Sequence, residues 1–201
     1  MVVQGQMEFP SEQKKVLLHT CCAPCSSAII EYLMANGIEP VIYYCNPNIY
    51  PYEEYQIRKD ECTRYAEALG LEIVDADYDH QQWLEAVRGL ENEPERGGRC
   101  MECFRFRLLM TARYARERGI EVITTTLASS RWKSLEQIDA AGSWACETVS
   151  SEMKDDSATV VWWGRNWRKG GLQERRNQII KEYGFYNQLW CGCEFSRKIV
   201  D

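Results

Sequence analysis

Histidine is almost missing from this chain, which holds only His19 and His80 among 201 residues. Soft-metal or redox chemistry therefore falls to sulfur, and His19, on a predicted strand, reads as a packed core residue rather than a ligand. An uninterrupted apolar run of ~18 residues is missing too, which argues against a transmembrane helix. Residues 1–13 lack the basic start and apolar stretch of a secretory signal, and read as a loose tail. Positive charge is in deficit: 24 Lys and Arg against 30 Asp and Glu give a net charge of −6. The chain is thus not coated in positive charge for nucleic acid, although a local basic patch stays open. Internal repeats and low-complexity segments are absent, and no glycine-rich phosphate loop follows the first predicted strand.

What the chain has in abundance is cysteine, ten in all. That is short of the ~8–10% that marks a secreted disulfide scaffold. Without a signal pattern it points to the cytoplasm, where clustered cysteines more often bind metal or do redox work than form structural disulfides. Apolar residues at 45% and charged residues at 27% suit a globular domain with a proper core. We expect a flexible tail over 1–13 and a single α/β catalytic domain over 14–201.

Strand and helix signals alternate. The spacing predicts strands over 16–20, 40–45, 71–75, 121–126 and 158–163. Helices are expected over 24–36, 51–69, 79–88, 103–118, 134–146 and 172–183, with Gly37, Gly70, Gly119 and Gly184 as stops. Asp79 with Gln82 and Ser134 with Gln137 are capping pairs, and Phe104, Leu108, Ala112 and Ala115 line one helix face. Residues 89–99 read as a charged loop without a packing signal. Alternation of this kind implies a parallel sheet with helices on both faces, with ligands beyond the carboxyl ends of the strands. Those ends carry Cys21-Cys22, Asn46-Pro47-Asn48 and Thr124-Thr125-Thr126.

The strongest constellation is Cys21-Cys22 with Cys100-Met101-Glu102-Cys103. The first pair stands where a strand gives way to a helix, and unpaired amides and the helix dipole there favour thiolates. A C-x-x-C pair entering a helix suits zinc and iron–sulfur sites, and four soft thiolates favour these over magnesium or calcium. Cys22 and Cys25 also have the C-x-x-C redox spacing, so Cys25 competes with Cys21 as a ligand. Adjacent cysteines suit a four-iron cluster better than a single ion. Cys191-Gly192-Cys193 is able to form a readily reduced disulfide or to ligate metal. Cys45, Cys62 and Cys146 lack partner spacing and read as structural. The segment from Trp162 to Gly171 interleaves tryptophans with Arg165, Arg168 and Lys169, and Arg175 and Arg176 follow. It reads equally as a phosphate- and base-binding surface or as core tryptophans with a solvated loop. Arg96, Arg99, Arg105 and Arg107 flank the second cysteine pair.

Taken in order, several motifs resemble the QueH-type epoxyqueuosine reductases. They are Leu17 through Cys25, Tyr44 through Pro51 with Glu53-Glu54-Tyr55, and Arg99 through Phe104. Thr124 through Leu127, Asn166 through Gly171 and Tyr186 through Cys193 complete the set. One departure is Cys45, where the family pattern has Tyr. The resemblance implies a Rossmann-like parallel sheet of the adenine-nucleotide-hydrolase kind. It implies an oxidoreductase that reduces epoxyqueuosine to queuosine in tRNA, the last step of queuosine biosynthesis. It further implies a [4Fe-4S] cluster on Cys21, Cys22, Cys100 and Cys103, with Cys191 and Cys193 as a redox-active pair. Removing an epoxide oxygen takes two electrons and a cluster handles one at a time, so a dithiol or an additional iron would supply the other. The partners are then tRNA carrying epoxyqueuosine and an unidentified electron donor, with no membrane. Proton-donor candidates, by their place at strand ends, are Asp77, Tyr43 and Tyr44.

Three rivals remain at this level. A tRNA-thiolating enzyme would want a phosphate loop where Cys21-Cys22-Ala23-Pro24-Cys25 stands. A zinc-stapled RNA-binding module would be colourless, and a thiol–disulfide oxidoreductase built on Cys22 and Cys25 would work without metal.

Overall fold

The structure, a computed structural model, describes residues 8–152 and 159–196. Apolar, β-branched stretches form five strands: β1 (Lys15–His19), β2 (Glu39–Tyr44), β3 (Ile73–Asp75), β4 (Val122–Thr125) and β5 (Val161–Trp162). They pair in the order β3-β2-β1-β4-β5, every neighbour parallel. The helices are α1 (Ala23–Ala35), α2 (Tyr52–Ala68), α3 (His80–Ala86), α4 (Gly98–Glu117), α5 (Leu135–Ser151) and α6 (Leu172–Tyr183). The expected Rossmann-like α/β architecture is therefore present. Among the described residues no helix is long and apolar enough to cross a membrane.

β1 is the central strand, and Val16, Leu17 and Leu18 are wholly buried, as a strand covered on both faces requires. Successive residues of a strand face opposite sides, and β2 shows which helices lie where. Tyr43 stacks on Tyr114 of α4, while Tyr44 packs against Tyr55 of α2. One layer thus holds α1, α2 and α6 and the other α4 and α5. Both predicted caps form: Asp79 accepts from the Gln82 amide at 2.8 Å, and Ser134 from the Gln137 amide at 3.2 Å.

Some element bounds differ from those expected. α4 starts at Gly98 rather than Cys103, so both Cys100 and Cys103 are helical. The charged loop before it causes this, because Glu93 caps the helix by accepting from the Gly98 amide at 3.0 Å. The buried Arg99 guanidinium donates to the carbonyls of Glu91 and Glu93, tying the loop to the first turn. β5 is shorter than predicted, and residue 158 of that prediction lies outside the described residues. Within the segment expected as a tail, the Phe9 ring meets Trp163 edge-on at 5.0 Å, and Ser11 donates to Glu121 at 2.6 Å. Residues 1–7 of the tail lie outside the described residues.

Candidate metal and redox site

The chain leaves β1 at His19 and enters α1 at Ala23, with Cys22 as the N-cap in extended backbone conformation. The Cys22 carbonyl takes the Cys25 and Ser26 amides, each at 3.2 Å, and Pro24 in the first turn forgoes an amide the helix does not need. This tight entry folds three thiols together: the sulfurs of Cys21, Cys22 and Cys25 all lie within 4.8 Å of one another. The Cys21 and Cys22 sulfurs are 3.9 Å apart. A tetrahedral ion bound at about 2.3 Å sets its sulfurs roughly 3.8 Å apart, so the triad has the donors and the spacing for a metal. Thr126, at the end of β4, braces Cys21 from the other side: its Oγ1 accepts from the Cys21 amide at 3.3 Å and donates to Cys21 Sγ at 3.6 Å. Hydrogen bonds from the Cys22 and Cys25 thiols, with Arg107 nearby, pull the Cys21 thiol below its ordinary range. The Cys25 thiol, as donor to Cys21, is pushed up to about 12, and burial raises that of Cys22.

Cys100 and Cys103 stand one turn apart on α4, outside the tight triad. The Arg96 amide donates to Cys100 Sγ at 3.3 Å. One turn beyond Cys103, the buried Arg107 donates to the Cys45 carbonyl at 3.2 Å and to the Asn46 side chain, and its Nη1 lies 3.9 Å from Cys103 Sγ. Lys133 stands within electrostatic reach of Cys21, Cys103 and Cys191 and pairs over the Phe104 ring at 5.5 Å. Among the described residues, neither Arg107 nor Lys133 forms an ion pair with a carboxylate. Two cations facing sulfur without acidic partners favour an anionic occupant.

The C-x-C segment is held against the same space. Cys193 bridges Ile49 in an antiparallel pair, the Gly192 carbonyl accepts from the Tyr50 amide at 2.9 Å, and Cys193 packs with Cys103 and Trp83. Arg58 of α2, buried and paired with Glu54, donates to the carbonyls of Cys191 (3.2 Å) and Trp190 (3.4 Å). Gly192 has φ +99°, and a Cβ there would meet Ile49 Cγ1 at 2.7 Å, so both backbone and space call for glycine. Both thiols are free, and a hydrogen bond from Cys193 with Lys133 nearby draws the Cys191 thiol below its usual range. From the same segment Gln188 donates to Cys22 Sγ at 2.6 Å.

Sequence reasoning missed Lys133 and Arg58, which sit in no local pattern that marks a site, and gave Gln188 no role within the motif from Tyr186 to Cys193. It placed His19 correctly. The ring is fully buried between the Thr125 hydroxyl (2.7 Å) and the Cys45 carbonyl (3.1 Å), and burial with the nearby Arg107 drives its pKa down to about 3. The neutral tautomer follows: Nε2–H donates to the carbonyl and Nδ1 accepts from the hydroxyl. Tyr44 donates to the Tyr55 carbonyl inside the core and Tyr43 is stacked on the opposite layer, while Asp77 is exposed. Of the basic segment, Trp163 and Trp167 belong to the core, and Arg168 donates to the carbonyls of Ser130 and Lys133.

Comparison with known proteins adds the family. The sequence pattern of the family described as epoxyqueuosine reductase QueH matches residues 16–199. The protein of Histophilus somni named epoxyqueuosine reductase QueH is 47% identical over 194 residues, covering 96% of this chain and 76% of its own length. The Haemophilus influenzae protein of that name is 45% identical over 194 residues, with the same coverage of 96% and 76%. That of Acinetobacter baylyi is 43% identical over 191 residues, covering 95% of this chain and 84% of its own length.

Proposed function

Since the chain belongs to the QueH family of epoxyqueuosine reductases, which are oxidoreductases, we propose that it reduces epoxyqueuosine in tRNA to queuosine in the cytoplasm. The observation that carries this reading is the meeting of Cys21, Cys22 and Cys25 with two carboxylate-free cations, Arg107 and Lys133, beyond the carboxyl ends of β1, β2 and β4. The reaction takes an epoxide, two electrons and two protons to an alkene and water.

Cys21, Cys22, Cys100 and Cys103 are the residues that would hold a [4Fe-4S] cluster, with Cys25 the alternative to Cys21. Their all-thiolate donor set suits such a group, and Arg107 and Lys133 offset its negative charge. When bound, such a cluster would relay electrons one at a time. Cys191 and Cys193 supply both of them: closing their disulfide releases two electrons and two protons, matching the loss of one oxygen as water. Lys133 holds positive charge where the leaving oxygen gathers. Arg58 and Gly192 keep the dithiol against the site.

Iron, sulfide and zinc analysis with an absorption spectrum on anaerobically purified protein tests the metal. About four irons and four sulfides per chain, lost in Cys100→Ala and Cys103→Ala, is the expected result. One zinc and no sulfide would return the chain to the RNA-binding alternative. Nucleoside mass spectrometry of epoxyqueuosine-tRNA after incubation tests the reaction. Cys191→Ser and Cys193→Ser should keep the iron and lose turnover.

A further inference from the structure

Between β4 and α5 the tetrapeptide Ser130-Arg131-Trp132-Lys133 is held in an unusual way. Each of its four carbonyls accepts from a guanidinium. Arg168 takes those of Ser130 and Lys133, and Arg96 takes those of Arg131 (3.0 Å) and Trp132 (2.9 Å). Arg96 has a left-handed backbone (φ 67°), its amide donates to Cys100 Sγ, and its carbonyl accepts from Gln137 at 2.8 Å. Two arginines that would ordinarily stay solvated, one of them in a strained conformation, are thus committed to the shape of four residues. What the shape achieves is a division of directions. Lys133 turns inward to the cysteines, while Trp132 stands outward, 66% exposed, with the Arg131 guanidinium 5.0 Å from its ring. Trp132 is the one exposed tryptophan of the chain's seven. The adjoining open groove, about 680 Å³, carries Arg96, Arg131, Lys133 and Arg168 against the single acid Glu136, on a protein whose net charge is −6.

We propose that Trp132 is a stacking platform for an RNA base neighbouring the one presented to the cysteine site, with Arg131 and the groove facing the adjoining phosphates. The proposal rests on the reading of tRNA as substrate and names the residue that positions it. A rigid, exposed indole backed by cations suits a base and its phosphate, since every base offers a π-face and stacking adds to charge attraction. The clasp supplies preorganisation: the ring is already presented before RNA arrives, so less ordering entropy is lost on binding. Adjacent residues facing the site and the rim would serve neighbouring nucleotides, one inserted and one stacked.

The test is fluorescence anisotropy with a labelled RNA hairpin carrying an anticodon stem and loop, titrated with the parent protein and with Trp132→Ala, Trp132→Phe and Arg131→Gln. Trp132→Ala should weaken binding about five- to hundredfold with an unchanged melting temperature, and Trp132→Phe should recover most of it. Its salt dependence should match the parent's, because the ring is neutral, whereas Arg131→Gln should lower the slope by about one. Trp132→Ala binding within twofold of the parent overturns the stacking role and leaves the substrate reading standing. A parent that binds neither hairpin nor tRNA overturns both. Self-association of the parent that Trp132→Ala abolishes, with RNA affinity intact, assigns the ring to a second copy of the chain and overturns the proposal as well.

Discussion

Arg107 reaches out of α4 to the side-chain carbonyl of Asn46, and Asn46 passes the tie onward, its Nδ2 donating to the Thr20 carbonyl at 2.9 Å. A single buried guanidinium therefore fixes the carboxyl ends of β1 and β2 relative to the helix that carries Cys100 and Cys103. The strand ends and the helix come from distant parts of the chain, and their relative position is what makes one site of two cysteine groups.

Arg107→Met should accordingly destabilise the fold by roughly 3 kcal/mol, because the Cys45 carbonyl and the Asn46 side chain are left buried without their donor. Arg107→Lys keeps the charge but cannot span both acceptors, and should recover less than half of the loss. Urea midpoints at constant m-value measure both.

The C-x-C segment depends on Arg58 and on the space at Gly192. Arg58→Gln removes the donors to the Cys191 and Trp190 carbonyls, so alkylation of Cys191 by iodoacetamide should speed up severalfold while that of Cys62 stays slow. Gly192→Ala should cost about 1–3 kcal/mol and displace Ile49, given φ +99° and a Cβ position 2.7 Å from that side chain. Peptide mapping of the labelled thiols reads the first effect and thermal denaturation the second.

The charged residues once grouped as a basic surface divide by what they touch. Arg175 is bound to Glu31 of α1 and Glu182 of α6, both partly exposed pairs, so Arg175→Ala should lower stability by about 1 kcal/mol and leave RNA affinity unchanged. Arg168→Ala should weaken RNA binding and lower the salt slope by about one, since it removes a groove cation and, by releasing the Ser130 and Lys133 carbonyls, also frees the Trp132 loop. Anisotropy titrations across salt concentrations separate the two.

How much of this was legible in the sequence follows from the range of the interactions. Leu17-Leu18 before Cys21, Pro24 in the first turn and glycines at helix ends are local signals, so the alternation, the parallel sheet and the thiol-bearing strand end could be read directly. The order β3-β2-β1-β4-β5 rests on pairings between distant segments, which no window of sequence records. The start of α4 was misplaced for a related reason: the cap comes from a loop glutamate, Glu93, not from a residue of N-cap type. The Arg96 clasp spans 35 and 36 residues to carbonyls, groups that every residue possesses, so it leaves no composition to notice. Lys133 was invisible because a lone lysine after a strand is ordinary until the fold turns it toward three cysteines.

Cys146 offers a pH test remote from the cysteine site. It lies on the buried face of α5, and burial pushes its thiol up to about 12. In the unfolded chain the same thiol ionises near 9, the ordinary value. Between these two values the native state keeps a proton that the unfolded state releases, so unfolding is favoured as pH rises. The stabilisation tied to that proton is fully present below pH 9 and is lost toward 12, at up to about 1.4 kcal/mol per pH unit. Cys146→Ala removes the titrating group, and although it costs some packing at every pH, its stability should fall less steeply than the parent's across that window. Urea denaturation of both proteins at pH 8, 9, 10 and 11 compares the slopes. Parallel curves would mean that the Cys146 thiol ionises as easily in the fold as in the unfolded chain, and that α5 does not shield it.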